Sequence, residues 1–211
     1  MSSVYKAGEV ADRLKPFITR WINAAVSANA NAEKDNGYLI FLYKISTAKI
    51  KPYSFTVAGM TAALAAAAIG DAIEIPIGTL TGDYTMVAGV KVVGKSRFAT
   101  ILTGQITGAA GASIENLSNI RTANDANALS GIVGQAAGIF YVHACHVEVT
   151  QSGAGTAAAV RQDAAGTVEV WSTYLSALSV GGAGYATYRT AGAIVIDGGV
   201  RLGSTAAIYD P

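Results

Sequence analysis

Residues 69–104, IGDAIEIPIGTLTGDYTMVAGVKVVGKSRFATILTG, constrain the fold more than any other stretch of this chain. Three apolar runs, Ile73–Ile77, Val90–Val93 and Thr100–Leu102, are separated by corners at Gly78, Gly82-Asp83, Gly89 and Gly94-Lys95. Short β-branched runs between turn residues, with no helical period, read as strands. The corners are spaced too irregularly for a ladder of tight hairpins. They suit a coil in which each strand bends into the next and stacks on the turn below. Further strands are expected at Ile114–Leu117, Ile139–Val149, Val168–Leu175 and Ala193–Ile196. The steps from Val92 to Ile114, from Val147 to Val168 and from Val168 to Val195 are of one general size. Recurrence at intervals of roughly 20–30 residues marks a solenoid. About six or seven coils are expected, spaced by about 4.8 Å.

The residues Gly70-Asp71 before Ile73 and Ile75, then Pro76, Gly78-Thr79, Val87, Gly89-Val90, Val93-Gly94 and Thr100-Ile101 carry a resemblance. They resemble the first rungs of right-handed parallel β-helices of the pectin-lyase-like superfamily. The resemblance implies an all-β fold, a right-handed parallel β-helix over residues 54–211, behind a short N-terminal helix-plus-strand attachment segment. On function it implies little, because the fold hosts lyases, hydrolases, adhesins and inert virion parts. Phe55 and Val57 are expected to form the first strand, and Thr61–Ala68 a helix N-capped by Thr61 and stopped at Gly70. Such a helix would cover the open end of the coil, as superfamily members commonly do. Gly153–Gly155, Gly181–Gly184 and Gly198-Gly199 interrupt the last third, which either continues the coil or forms a separate tip. Trp171, Tyr174, Tyr185, Tyr188 and Tyr209 enter there, as contact residues for protein or sugar or as ordinary sheet aromatics.

Residues 1–53 differ in pattern and are read as an attachment and oligomerisation segment. Pro16 suits a first helical turn, so a helix is expected from Lys15 or Pro16 to about Ala30. Phe17, Trp21, Ala24 and Ala28 fall on one face of it. That face either associates with other subunits or lies on its own domain. Asn29–Gly37 is polar. Tyr38–Ile45, YLIFLYKI, is the most apolar run and reads as a strand buried on both faces. Lys49–Tyr53, with Pro52, reads as a linker. The expected oligomer and attachment contacts are Phe17, Trp21, Ala24, Tyr38, Ile40 and Phe41.

Composition narrows the classes of function. A hydrophobic fraction of 51% rests largely on about 40 Ala and 24 Gly, and no apolar run reaches the ~20 residues that cross a bilayer. The amino terminus shows no secretory h-region. One cysteine, Cys145, allows no internal disulfide. A net charge of +1 with scattered Lys and Arg gives no footprint for nucleic acid. Charged residues are only 14%, against a usual ~25%, which fits either a surface hidden in an assembly or a Gly/Ala-rich solenoid.

Catalytic and metal patterns are sparse. Lyases of the superfamily hold calcium with clustered Asp and use Arg or Lys as base; its hydrolases use two or three Asp on neighbouring strands. Asp71, Asp83, Asp125, Asp163 and Asp197 stand singly, mostly at turns. Glu148 and Glu169 each sit at the centre of a Val-Glu-Val triplet, separated by one such solenoid interval. If those triplets stacked, the carboxylates would lie ~5 Å apart, the separation of a retaining glycosidase; otherwise they are solvated surface residues. His143, Cys145 and His146 form the one metal-like group. In a continuous strand, His143 and Cys145 would share a face and His146 would point away, so they would not converge. No phosphate loop or nucleophile elbow is present. No catalytic residue, metal or cofactor is therefore assigned.

A small β-helix with a distinct amino-terminal part resembles accessory proteins of tailed-bacteriophage virions: short spikes, head fibres and capsid decoration (cement) proteins. The resemblance implies a homotrimer on a virion, contacting other capsid or tail proteins and possible host-surface glycans or proteins. It implies neither nucleic-acid binding nor membrane insertion. The alternative on the same fold is a polysaccharide lyase or glycoside hydrolase.

Overall fold

The structure, a computed structural model, describes residues 39–135 and 137–210. The chain divides into two compact units, residues 1–38 and residues 39–211. The expected helix and its residues Phe17, Trp21 and Ala24, together with Tyr38, lie outside the described residues.

The second unit begins with an antiparallel hairpin. Its strands are β1 (Leu39–Lys44) and β2 (Lys49–Ser54), and one α-helix, α1 (Val57–Ala66), follows. The chain then coils through triplets of strands. The first coil holds β3 (Ala72–Ile75), β4 (Gly78–Leu80) and β5 (Tyr84–Thr85). The second holds β6 (Lys91–Gly94), β7 (Thr100–Leu102) and β8 (Ile106–Thr107). In the third are β9 (Ser113–Glu115), β10 (Ser118–Ala123) and β11 (Leu129–Val133). The fourth comprises β12 (Ile139–His143), β13 (His146–Gln151) and β14 (Ala157–Gln162). Next come β15 (Thr167–Trp171), β16 (Tyr174–Ser179) and β17 (Gly184–Arg189), and finally β18 (Ala193–Asp197), β19 (Val200–Gly203) and β20 (Ala206–Tyr209).

Corresponding strands stack in parallel into three sheets, β3 to β18, β4 to β19 and β5 to β20, so the body is a parallel β-solenoid. The hairpin extends the first sheet: β1 pairs antiparallel with β3, and β2 forms its edge. The coil continues through residues 176–210 without a separate tip.

One inward row shows how the stack is built. Ile73, Val92, Ile114, Val142, Val170 and Ile196 are register neighbours down the first sheet. The step between neighbours is shortest from Ile73 to Val92 and longest from Ile114 to Val142 and from Val142 to Val170. The coils are therefore short at the start and longer later. The first five of these residues are fully buried, each worth about 1.5–3 kcal/mol of apolar burial. The second sheet supplies Leu80, Leu102, Asn119, Val147 and Leu175 to the same core.

In the longer coils the interior accepts small and polar residues. Gln151 accepts from the Asp125 and Gly153 amides and donates to Asp125 Oδ1 and the Asn127 carbonyl. Gln162 donates to the carbonyls of Ala164 and Gly166, both at 2.8 Å. These side chains satisfy loop groups that would otherwise be buried unpaired.

The corner from the first sheet to the second repeats one backbone device. Asn116, Ala144, Ser172 and Gly198 stack there with φ of 53°, 48°, 49° and 69°. Non-glycine residues rarely adopt this left-handed conformation. Here the stack holds them, as the amides of Asn116, Ala144 and Ser172 each bond a carbonyl of the next coil. Ile139–Val149 is therefore two strands on two sheets, not the single strand its sequence predicts. Val168–Leu175 breaks the same way at Ser172.

The start of the body differs from expectation in three respects. The helix begins at Val57 with Thr56 as N-cap, its hydroxyl accepting from the Gly59 amide at 3.1 Å. Thr61 lies inside, its hydroxyl bonded back to the Val57 carbonyl, and Val57 is helical, not a strand residue. Lys49–Tyr53 is no linker but most of β2, where Pro52 is tolerated because the strand is an edge. Finally, Ile40 and Leu42 are fully buried in the body's own core. The boundary thus lies at 38/39 rather than 53/54, and Ile40 cannot serve as an oligomer contact; Phe41 is half-buried on the outer side of β1.

The expected cap is present, built by α1 and its flanks. Met60, Ala63 and Leu64 enter the core cluster. Phe55 presses on Gly78 at the corner between β3 and β4, and Ile69 on Gly89 at the corner before β6; these glycines lie at φ +137° and +66°, and a Cβ on either would fall within 3 Å of the side chain pressing on it. Buried Asp71 ties the parts together. Its carboxylate accepts from the Ile45 and Ala68 amides, both at 2.9 Å, with Lys44 Nζ at 3.8 Å.

Candidate ligand-binding surface

Outward-facing residues of neighbouring coils meet in rows, so the register decides which side chains can act together. On the first sheet Glu115, His143, Trp171 and Asp197 form one outer row. Trp171 stacks on His143, their centroids 4.5 Å apart, and Tyr141 meets both edge-on. Glu115 pairs with Lys91 at 2.6 Å and lies 3.9 Å from His143 Nδ1. Lys95 pairs with Glu74 at 2.7 Å, and that hydrogen bond holds the lysine pKa above its usual range.

Across the corner, the second sheet carries a second aromatic group. His146 meets Tyr174 in a T at 4.8 Å and Phe98 at 5.7 Å. The Arg97 guanidinium lies over the Phe98 ring at 5.5 Å. Burial lowers the His146 pKa; nearby Glu148, 3.6 Å away, opposes this and Arg97 adds to it. Between these side chains runs a groove of about 450 Å³, lined by Arg97, Phe98, His146, Ser172, Tyr174 and Val200. Phe98 and Val200 are exposed at its rim.

The third sheet has its own cluster. Tyr185, Tyr188 and Tyr209 pack together, the last two stacked at 4.6 Å. Arg161 covers Tyr188 and pairs with Asp163, while Arg189 pairs with Asp210. Its cations are therefore already matched by carboxylates.

The carboxylates singled out from the sequence do not meet. Glu148 is on β13, in register with Ile120 and Ser176. Glu169 is on β15 of another sheet, between Tyr141 and Val195. One full coil beyond Glu148 the chain has reached Ser176, so the shorter spacing of the Val-Glu-Val triplets carries no stacking.

His143, Cys145 and His146 also divide, though not as a continuous strand would place them. The bend at Ala144 turns both histidines outward, onto different sheets, and Cys145 inward. Cys145 is fully buried, and burial pushes its thiol up to about 12; Sγ donates to the His143 carbonyl at 3.1 Å. Among the described residues no group of three His, Cys, Asp or Glu is placed to hold a metal ion.

Of the aromatics predicted as contacts, Trp171 and Tyr174 flank this corner, and the three tyrosines lie on another sheet. Sequence reasoning missed Arg97, Phe98, Ser172 and Tyr141. An Arg-Phe pair in the turn after a valine run was the available signal for the first two. Ser172 carried none, because its role depends on a left-handed bend.

No family model matches this chain, and neither a curated protein nor a solved structure matches it. Among the described residues no helix is long and apolar enough to cross a membrane.

Proposed function

We propose that this chain is a structural accessory protein of a tailed-bacteriophage virion, a capsid decoration protein or short spike. In this reading it is a homotrimer, residues 1–38 attach it to other virion proteins, and the solenoid projects. The observation that carries the reading is the division of the chain. The chain divides at 38/39, and the solenoid that starts at Leu39 is capped by its own residues, which suits attachment by one part and display by the other. The resemblance of residues 69–104 to pectin-lyase-like β-helices is compatible with it.

The rival reading, a glycan-cleaving lyase or hydrolase, comes from the same fold, with Glu148 and Glu169 as its best acidic candidates. These two lie on different sheets and do not stack as a pair.

The test is to purify particles from the native source on a density gradient and probe them with antibody against the solenoid. The chain should sediment with intact particles, in copy numbers divisible by three, and removal of residues 1–38 should release it. Native mass spectrometry should give three times 21.5 kDa. A monomer that stays with the soluble fraction contradicts the proposal.

A further inference from the structure

The geometry points to an anionic sugar-binding site at the corner between the first and second sheets, taking a carboxylated pyranose of a glycan in the groove beside Arg97, Phe98, His146, Ser172 and Tyr174. This goes beyond the virion reading and does not depend on it.

The cation comes first. Arg97 is in no ion pair among the described residues, whereas Arg161, which also covers an aromatic ring, is matched by Asp163. The Arg97 Nε is buried without a hydrogen-bond partner. The terminal nitrogens of a guanidinium that lies against the Phe98 ring and lines an open groove remain to meet an anion there.

The rest of the lining selects the kind of anion. Phe98, Tyr174 and Val200 give an apolar floor and rim, which suits the C–H face of a pyranose. The hydroxyls of Ser172 and Tyr174 make no hydrogen bond within the described residues, and Ser172 is exposed on its bend. They are free to bond sugar hydroxyls, and the His146 imidazole beside them has its pKa lowered by burial. A groove of this size fits a small ligand. A nucleic acid or a phosphorylated peptide demands several cations. Here there is one, with Glu148 close to His146, so a singly charged carboxylate is the better complement.

The experiment titrates the full-length protein by calorimetry with sialyllactose and with a glucuronate-containing hyaluronan hexasaccharide, using lactose as the neutral reference. At least one acidic glycan should bind, and lactose at least about tenfold more weakly, the scale of one charge-assisted hydrogen bond. Arg97→Gln should erase the preference for the acid. Phe98→Ala should weaken acidic and neutral sugars together. Both side chains reach the surface, and an unchanged circular dichroism spectrum checks that the fold is kept.

Three outcomes overturn the proposal. One is no binding of either acidic glycan up to millimolar concentration. Another is binding that survives Arg97→Gln with its preference intact. The third is dissociation of an oligomer by Phe98→Ala, which would make the groove a contact between subunits. Loss of particle association, by contrast, would count only against the virion reading.

Discussion

The indole of Trp171 lies flat on the imidazole of His143, with centroids 4.5 Å apart and planes 14° from parallel. The two residues are register neighbours, one coil apart on the outer side of the first sheet. Each also immediately precedes a residue held in the left-handed conformation, Ser172 after Trp171 and Ala144 after His143. The stack is thus fixed at the lip of the corner rather than in the middle of a flat face. A double-mutant cycle with His143→Ala and Trp171→Ala, read by chemical denaturation, should give a coupling of about 0.5–1.5 kcal/mol. Additive effects would mean that the rings are not in contact in solution.

His146, on the other side of the corner, makes stability depend on pH in a stated direction. Burial lowers its pKa in the folded chain, so the unfolded chain binds the proton more readily. Its contribution is complete above the unfolded value of about 6.5 and is lost as pH falls through the lower, folded value. The native protein should therefore lose stability on acidification below about pH 6.5 relative to His146→Gln. Identical profiles for the two proteins would show that His146 titrates normally. A direct check is the imidazole titration by NMR.

The domain boundary predicts how truncations behave. A fragment from Leu39 should unfold in one cooperative β-type transition. A fragment from residue 54 should not, because it lacks β1 and leaves β3 as an open edge. Loss of buried Ile40 and Leu42 alone removes about 3–6 kcal/mol, a large part of the stability of an ordinary domain. Cooperative folding of the shorter fragment would return β1 to the attachment segment.

These differences show which parts of the fold the sequence made legible. Ile73–Ile77, Val90–Val93 and Thr100–Leu102 announce β3, β6 and β7, because short β-branched runs between glycines have few other uses. The hydrophobicity of Tyr38–Ile45 announces burial but not what buries it, and β1 turned out to face its own core. Ala144 and Ser172 were opaque: a left-handed bend at a non-glycine residue leaves no compositional mark. Once those bends were missed, Ile139–Val149 ran straight through a corner. A straight strand also puts His143 and Cys145 on one face, and the triplet spacing alone leaves open whether Glu148 and Glu169 stack. The candidate groove was hidden for the same reason, since Arg97, His146 and Ser172 come together only once coil length and corner are known.

Cys145 provides a probe of the interior. Its thiol is buried and raised to about 12, so the thiolate is negligible at neutral pH. A disulfide reagent at mildly alkaline pH should leave the folded protein unlabelled and modify it stoichiometrically in denaturant. Rapid labelling of the native protein would place Cys145 on the surface, and Ala144 would then not be the bend.

The separated carboxylates, the aromatic rows and the corner groove all follow from the register of the coils. Two double variants test that register in the full-length protein with a short thiol cross-linker, Cys145 remaining shielded. Glu148→Cys with Ser176→Cys joins outward register neighbours on β13 and β16, and should cross-link rapidly within one chain. Glu148→Cys with Glu169→Cys places the thiols on different sheets, and should cross-link slowly or not at all. The reverse result, efficient closure of the 148–169 pair and not of the 148–176 pair, would contradict the coil length, the corner at Ala144 and the site built on them.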